Sequence, residues 1–196
     1  MGLSIHYSGR LKEAVTLPKL IEDVKDVAIV EKWDYFVFEN EFENQQFSDE
    51  IIIKNLYGIM ITPPNCESLC FTFLTNGKMS GILNYAVLQM DGKINENLTY
   101  SVAANTQYSG FENHKKIILL LDFIEKKYLE NFTCVDDGNY WETRDEELLK
   151  ETFIRYTNLI NSFSSSIEML PKNENENIED YLLRAANVTM KNLKKD

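Results

Sequence analysis

Glycine, cysteine and histidine are scarce in this chain, and each scarcity argues against a class of function. The 196 residues include eight glycines, three cysteines and two histidines. Neither a Gly-x-Gly run nor a Gly-Lys-Ser/Thr run precedes a helical pattern, which disfavours the loops that bind nucleotide phosphates. The sequence also lacks the Gly-x-Ser-x-Gly pattern of a hydrolase nucleophile elbow.

The cysteines do not form a recognisable framework. Cys66, Cys70 and Cys134 are odd in number and show no pair of CxxC knuckles. A zinc site would require such knuckles or well-spaced histidines. The sequence therefore predicts no metal and no cofactor, and the free thiols fit a reducing compartment.

Long apolar runs are also missing. The longest extends from Ile117 to Leu121 and is far too short to span a bilayer. The first residues contain no basic region followed by a long apolar segment, so they do not resemble a signal peptide. We therefore expect no membrane association and a cytoplasmic location.

Basic residues are outnumbered by acidic ones. The chain contains 20 Lys and Arg residues and 31 Asp and Glu residues, which gives a formal net charge of −11. This charge repels phosphate backbones, so we predict no nucleic-acid partner. Two interpretations remain open: the charge serves solubility, or it attracts a basic protein partner.

What the sequence does contain is typical of a folded domain. Hydrophobic residues make up 44% of the chain, which is enough for one core. Runs of strand patterns joined by tight turns predict an α+β class with a mainly antiparallel sheet of about six or seven strands. We expect two long helices on one face, near residues 16–32 and 112–131, and two C-terminal helices.

The domain prediction places the α+β core at residues 1–170. The polar segment from Pro171 to Asn177 is interpreted as a linker. The remaining helix, which extends toward residue 196, would pack on the same core or on a partner. Homodimerisation is compatible with this arrangement.

One hairpin is predicted from a strong local signal. Asn76-Gly77 lies between two apolar runs, which favours a two-residue type I′ turn. Such a turn would pair Thr75 with Lys78 and Phe73 with Ser80. The second strand of this hairpin would then continue to about residue 90.

A Tyr-Ser-Gly segment occurs twice, at residues 7–9 and 108–110, and a helical pattern follows each copy. The repeat suggests pseudo-duplicated β–α units with matching strand-to-helix turns. If these units lie side by side, five residues near the turns could bind a small ligand, because helix N-termini and side-chain donors favour an anion. These candidate ligand-binding residues are His6, Tyr7, Arg10, Tyr108 and His114. The alternative is that they are ordinary core and surface residues.

The second candidate surface is acidic. The stretch from Asp34 to Ile53 contains no Lys or Arg, and like-charge clusters steer a basic partner. The alternative is a solvated edge strand that is kept acidic to prevent edge pairing. The candidate partner-binding residues are Glu39, Glu41, Glu43, Asp49 and Glu50.

Two functional hypotheses follow from these patterns. The first is a non-catalytic interaction module that binds a basic partner, as immunity or antitoxin proteins do. It rests on the net charge, the acidic stretch and the lack of a catalytic motif. The second is a small-ligand-binding protein or an enzyme of unfamiliar type, with a pocket near the two Tyr-Ser-Gly segments.

Overall fold

The computed structural model describes residues 2–48, 55–91 and 96–192. The chain forms two compact units, Met1–Leu149 and Lys150–Asp196. The predicted separation of residues 171–196 from a core at 1–170 stays a prediction.

All the strands among the described residues belong to the first unit, and they form two antiparallel sheets of three strands each. One sheet has the order β5-β1-β6 and the other the order β2-β3-β4. In chain order the strands are β1 (Ser4–Leu11), β2 (Asp34–Val37), β3 (Tyr57–Thr62), β4 (Leu69–Phe73), β5 (Val102–Asn105) and β6 (Leu129–Asp136).

The α+β class is therefore confirmed, but the prediction of one sheet with six or seven strands is wrong. Strands β4 and β1 do not pair directly. A short irregular segment lies between them: Ser80 N–H donates to Thr72 O of β4, and Met79 N–H donates to Gly9 O of β1, both at 2.9 Å. This segment is too short and irregular to merge the two sheets into one regular ladder.

The predicted hairpin forms with a different register. Leu74 N–H donates to Lys78 O, and Gly77 N–H donates to Leu74 O. The loop is thus Thr75–Asn76–Gly77, with Gly77 left-handed at φ 76°, which is the three-residue loop with a glycine bulge. Phe73 consequently bridges Met79 rather than Ser80.

The helices are α1 (Leu17–Glu31), α2 (Ile82–Asp91), α3 (Glu96–Thr99), α4 (Gly110–Tyr128), α5 (Tyr140–Thr143), α6 (Glu146–Met169) and α7 (Ile178–Asn192). None of those within the described ranges is long and apolar enough to cross a membrane. The two long helices expected from apolar periodicity are α1 and α4. Pro18 occupies the first turn of α1, where its missing N–H leaves no hydrogen bond unmade.

Helices α1 and α4 are joined by polar contacts. Asp23 of α1 accepts hydrogen bonds from Lys127 Nζ and Tyr128 Oη of α4, both at 2.6 Å. Lys116 of α4 forms an ion pair with Glu31 near the other end of α1. These contacts fix the two helices side by side.

The segment predicted to extend the hairpin to residue 90 is instead helix α2. Its inward residues Ile82, Tyr85 and Leu88 follow a three-residue spacing and pack with Leu56 and Leu74. The prediction extended the strand from the Asn76-Gly77 turn, but the segment carries a helical apolar stripe, and the tertiary contacts of this stripe decide for a helix.

The second unit contains the rest of α6 and helix α7. Asn177 caps α7, because its side-chain oxygen accepts the Asp180 N–H at 2.8 Å. Tyr181 Oη donates to Ile167 O at 2.6 Å, and Thr189 Oγ1 donates to Ser166 Oγ at 2.8 Å. These bonds connect α7 to α6.

Candidate functional site

Helix α2 presents an apolar face to solvent, which is unusual for a helix that also packs on a core. Leu83, Val87 and Met90 are 78%, 58% and 89% exposed. Their spacing of four and three residues places them on one side of the helix. Leu88, on the opposite side, is buried with Leu56 and Leu74. The outward stripe of Leu83, Val87 and Met90 is called the α2 stripe below.

A cavity of about 610 Å³ separates α2 from strand β2. Phe36 of β2 and Phe38 just beyond the strand line this cavity, and their rings meet edge to face with centroids 4.8 Å apart. Ile82 and Tyr85 line it from α2. Glu39 is the charged member of this lining among the residues that the structure describes. The cavity, the α2 stripe and β2 together are called the β2–α2 surface.

A second cavity, of about 650 Å³, lies beside the same helix. Its apolar wall includes Met60, Leu83 and Leu98, and it also contains Cys66 and Cys70. Burial raises the pKa of the Cys66 thiol to about 11 and that of the Cys134 thiol to about 12. Because the thiolate is the nucleophilic form, these thiols are weakly reactive near neutral pH.

A loop that contains Glu39, Glu41 and Glu43 follows β2 directly and is called the acidic loop. The side chains of these three residues are all exposed. Phe42, between the last two, is buried and stacks on Tyr57 with ring centroids 4.5 Å apart. This aromatic anchor turns both neighbouring carboxylates toward solvent.

Backbone bonds tie the start of this loop to β3. Gly58 N–H donates to Glu39 O, and Glu39 N–H donates to Leu56 O. The other two predicted partner-binding residues, Asp49 and Glu50, lie outside the described residues.

The five predicted ligand-binding residues do not line one pocket. His6 and Tyr7 line a small cavity of about 270 Å³ with Ser8 and Tyr100, and its lining includes neither Tyr108 nor His114. Arg10 instead makes contacts within the chain. Its Nη1 lies 3.0 Å from Glu130 Oε1, and its guanidinium lies 4.9 Å from the centroid of the Phe47 ring.

His114 lies in a buried polar cluster. Thr106 Oγ1 lies 2.7 Å from its Nδ1, and Asp136 Oδ1 lies 2.9 Å from its Nε2. The side chains of His114 and Asp136 are fully buried, as is Thr106. The spatial arrangement of a hydroxyl, a histidine and a carboxylate resembles a catalytic relay. Because all three side chains are buried, a substrate cannot reach them. The cluster joins the ends of β5 and β6 to α4.

Asp136 accepts further bonds from the turn that follows it. The N–H groups of Gly138, Tyr140 and Trp141 donate to its two oxygens at 2.7–3.0 Å. Burial alone would raise the pKa of Asp136, but the contact with His114 and the backbone N–H groups outweigh it and hold the pKa below the ordinary 3.8. The turn at residues 137–138 is thus organised by the Asp136 carboxylate.

The two Tyr-Ser-Gly segments occupy different structural positions, so their interpretation as matching strand-to-helix turns is wrong. Tyr7 lies within β1, is 2% exposed, and its hydroxyl bonds both to the N–H and to the C=O of Cys70. Tyr108 lies in the turn before α4 and is 70% exposed. A three-residue match carries too little information to fix the position of a segment within a fold.

This difference predicts opposite outcomes for the same substitution. Tyr7→Phe leaves the buried N–H and C=O of Cys70 without their side-chain partner, so we expect a loss of about 1–3 kcal/mol in unfolding free energy. Tyr108→Phe should change it by less than about 0.5 kcal/mol. Urea unfolding of both variants measures these values, and equal effects would contradict the assignment.

The sequence patterns identified the acidic part of the β2–α2 surface but missed its apolar part. Leu83, Val87 and Met90 were assigned to a strand, although their i, i+4, i+7 spacing is the signal that identifies one helix face. Among the residues the structure describes, there is no group of three or more His, Cys, Asp or Glu side chains that could hold a metal ion.

Comparisons with the profiles of known families, with curated protein sequences and with solved structures found no match to this chain.

Proposed function

We propose that this chain is a non-catalytic protein-interaction module whose β2–α2 surface binds a partner that is both apolar and basic. The observation that carries the proposal is the outward α2 stripe. Exposed apolar side chains that gather beside a cavity are typical of a docking surface, and apolar anchors in such cavities supply much of the binding energy at interfaces.

The charge of the partner is inferred from the border of this surface. Glu39 lines the cavity, and Glu41 and Glu43 continue the acidic loop with exposed side chains. Among the described residues that line the cavity between β2 and α2, none is Lys or Arg. A partner with Lys or Arg around an apolar centre complements both features.

The non-catalytic part of the proposal rests on the chemistry of the candidate nucleophiles. The Thr106–His114–Asp136 cluster is buried, and the thiols of Cys66 and Cys134 have raised pKa values. Occlusion of a basic partner by an acidic surface, as in immunity or antitoxin proteins, is a role that suits such a module.

The experiment selects peptides from a random dodecapeptide library on the immobilised protein. We expect the retained peptides to be enriched in both Lys or Arg and large apolar residues. Replacing Glu39, Glu41 and Glu43 together with Gln should weaken their binding by about tenfold and flatten its salt dependence. Retained peptides without basic enrichment would contradict the proposal.

A matched control separates the local surface from the overall charge. Glu13, Glu151 and Glu174 are exposed at other positions, and their replacement with Gln changes the net charge equally. We expect this control to weaken binding by less than about twofold. An equal loss in both triple variants would mean that only the global charge matters and would overturn the proposed site.

The apolar part is tested by a second pair of variants. Met90→Ser removes the most exposed member of the α2 stripe, and Met169→Ser removes a methionine that is 81% exposed in α6. Only Met90→Ser should weaken peptide binding, by about three- to tenfold. Equal binding by the two variants would remove α2 from the site.

A further inference from the structure

Strand β2 is a terminal strand of its sheet among the described residues. It pairs with β3 through Asp34↔Thr62, Tyr35↔Ile61, Phe36↔Met60 and Val37↔Ile59. Just beyond the strand, Phe38 N–H donates to Gly58 O at 2.9 Å. Successive residues of a strand point their N–H and C=O groups in opposite directions. Phe36 and Phe38 therefore bond toward β3, and Tyr35 and Val37 direct their backbone groups to the outer edge.

The two faces that border this edge differ. Phe36 and Phe38 lie on the face that contains the cavity next to α2. Tyr35 lies on the other face, where Lys25 Nζ of α1 lies 5.3 Å from its ring centroid. A strand added beside β2 would present alternate side chains to these two faces. Its inward apolar side chains would reach the cavity wall formed by Ile82 and Tyr85.

The charges along the edge select among occupants. Asp34 begins β2, and Glu39, Glu41 and Glu43 follow it, all with exposed side chains. A second copy of the chain would place like charges against each other and would add its own net charge of −11, which disfavours pairing of two β2 edges. A basic segment meets neither obstacle.

We propose that an extended basic segment of the partner adds to the outer edge of β2 as a further strand, with alternate apolar side chains directed into the cavity between β2 and α2. The inference rests on the proposed function, because it specifies how the basic partner binds that surface. Backbone hydrogen bonds to Tyr35 and Val37 supply the register, and the cavity selects the side chains.

The test uses a synthetic octapeptide of alternating lysine and valine. In an added strand, all valine N–H groups point to one side and all lysine N–H groups to the other. N-methylation of one series should therefore weaken binding by at least about tenfold, and methylation of the other by less than about threefold. Equal effects of the two methylations, or no binding of the octapeptide, would overturn strand addition.

A protein variant tests the same edge. Val37→Pro removes an outward N–H, and proline is tolerated at such edge positions, so the variant should remain folded. We expect it to lose octapeptide binding by at least about tenfold while its far-ultraviolet circular dichroism is unchanged. Unimpaired binding by a folded Val37→Pro variant would overturn the proposal. If the variant unfolds, the comparison of the two methylated peptides decides alone.

The outcomes separate this inference from the proposed function. If the library yields basic apolar dodecapeptides but the two N-methylated octapeptides bind equally well, the docking surface is retained and the added strand is rejected. Failure of the library to yield basic peptides would reject both.

Discussion

Replacement of Asp136 with asparagine lowers the free energy of unfolding by about 3 kcal/mol, the scale observed when one partner of a buried charged contact is removed. The carboxylate lies 2.9 Å from His114 Nε2 and accepts three backbone N–H groups. An asparagine side chain offers one acceptor oxygen, and its NH₂ group would face donors. The resulting unpaired donors are buried, so their desolvation is not compensated.

Thermal unfolding measures this effect. For a chain of this size, about 3 kcal/mol corresponds to a decrease of about 6–12 °C in the unfolding midpoint. The control is Asp137→Asn: this exposed neighbour accepts the Ser4 N–H at 3.1 Å, and asparagine retains an acceptor. We expect its midpoint to change by less than about 2 °C. Equal shifts in the two variants would contradict the central role of Asp136.

The effect of Asp136→Asn should depend on pH. The pKa of Asp136 is lower in the folded state than its ordinary 3.8, so the unfolded chain binds the proton more tightly. The stabilisation is therefore complete above about pH 4–5 and is lost as the pH falls through the folded-state pKa. The difference between the wild type and Asp136→Asn should shrink below about pH 4, whereas a pH-independent difference would contradict this account.

Replacement of Gly58 with alanine should destabilise the protein by about 3 kcal/mol or more. Gly58 adopts φ 120°, and a Cβ there would lie 2.2 Å from Phe71 O of the paired strand β4. The backbone must shift to relieve this overlap. The same residue bonds to Phe38 and Glu39, so the shift would also disturb the end of β2 and the start of the acidic loop.

Two other glycines separate the causes of this effect. A Cβ at Gly110, which has φ 81°, would meet nothing within 4 Å, so Gly110→Ala measures the cost of the positive φ alone, about 1 kcal/mol. A Cβ at Gly81 would make only ordinary contacts, at 3.7 Å or more, and Gly81→Ala should cost less than about 0.5 kcal/mol. If urea unfolding gives equal losses for Gly58→Ala and Gly110→Ala, the β3–β4 register described here is wrong.

The parts of the fold that could be predicted from the sequence have strong local signals. Helices α1 and α4 have long apolar stripes, and Asn177 caps α7 with its own side chain. Each of these features depends on residues near one another in the chain, so no tertiary information is required.

The features that were wrong depend on distant contacts. Asn76-Gly77 predicts a turn correctly, but its register is set by bonds from Leu74 to Lys78 and from Met79 to Gly9. The choice of helix for residues 82–91 is made by packing of Leu88 against Leu56 and Leu74. The buried cluster of Thr106, His114 and Asp136 joins residues from separate elements, and sequence spacing carries no signal for it.

The candidate site divides in the same way. The acidic loop is visible in the sequence because it is a continuous stretch without Lys or Arg. The apolar part is visible only once α2 is recognised as a helix whose exposed face is apolar. Within the part of the chain that the structure describes, β2 pairs with β3 on one side alone, and this open edge is a property of the sheet order.

The most direct test of the proposed docking surface is amide nuclear magnetic resonance of the ¹⁵N-labelled protein during titration with a basic apolar peptide selected from the library. We expect the largest shifts from the amides of Tyr35, Val37, Leu83, Val87 and Met90. The Glu39/Glu41/Glu43→Gln variant should reduce these shifts at equal peptide concentration. Largest shifts in α7, or shifts that the triple variant leaves unchanged, would contradict the proposed docking surface.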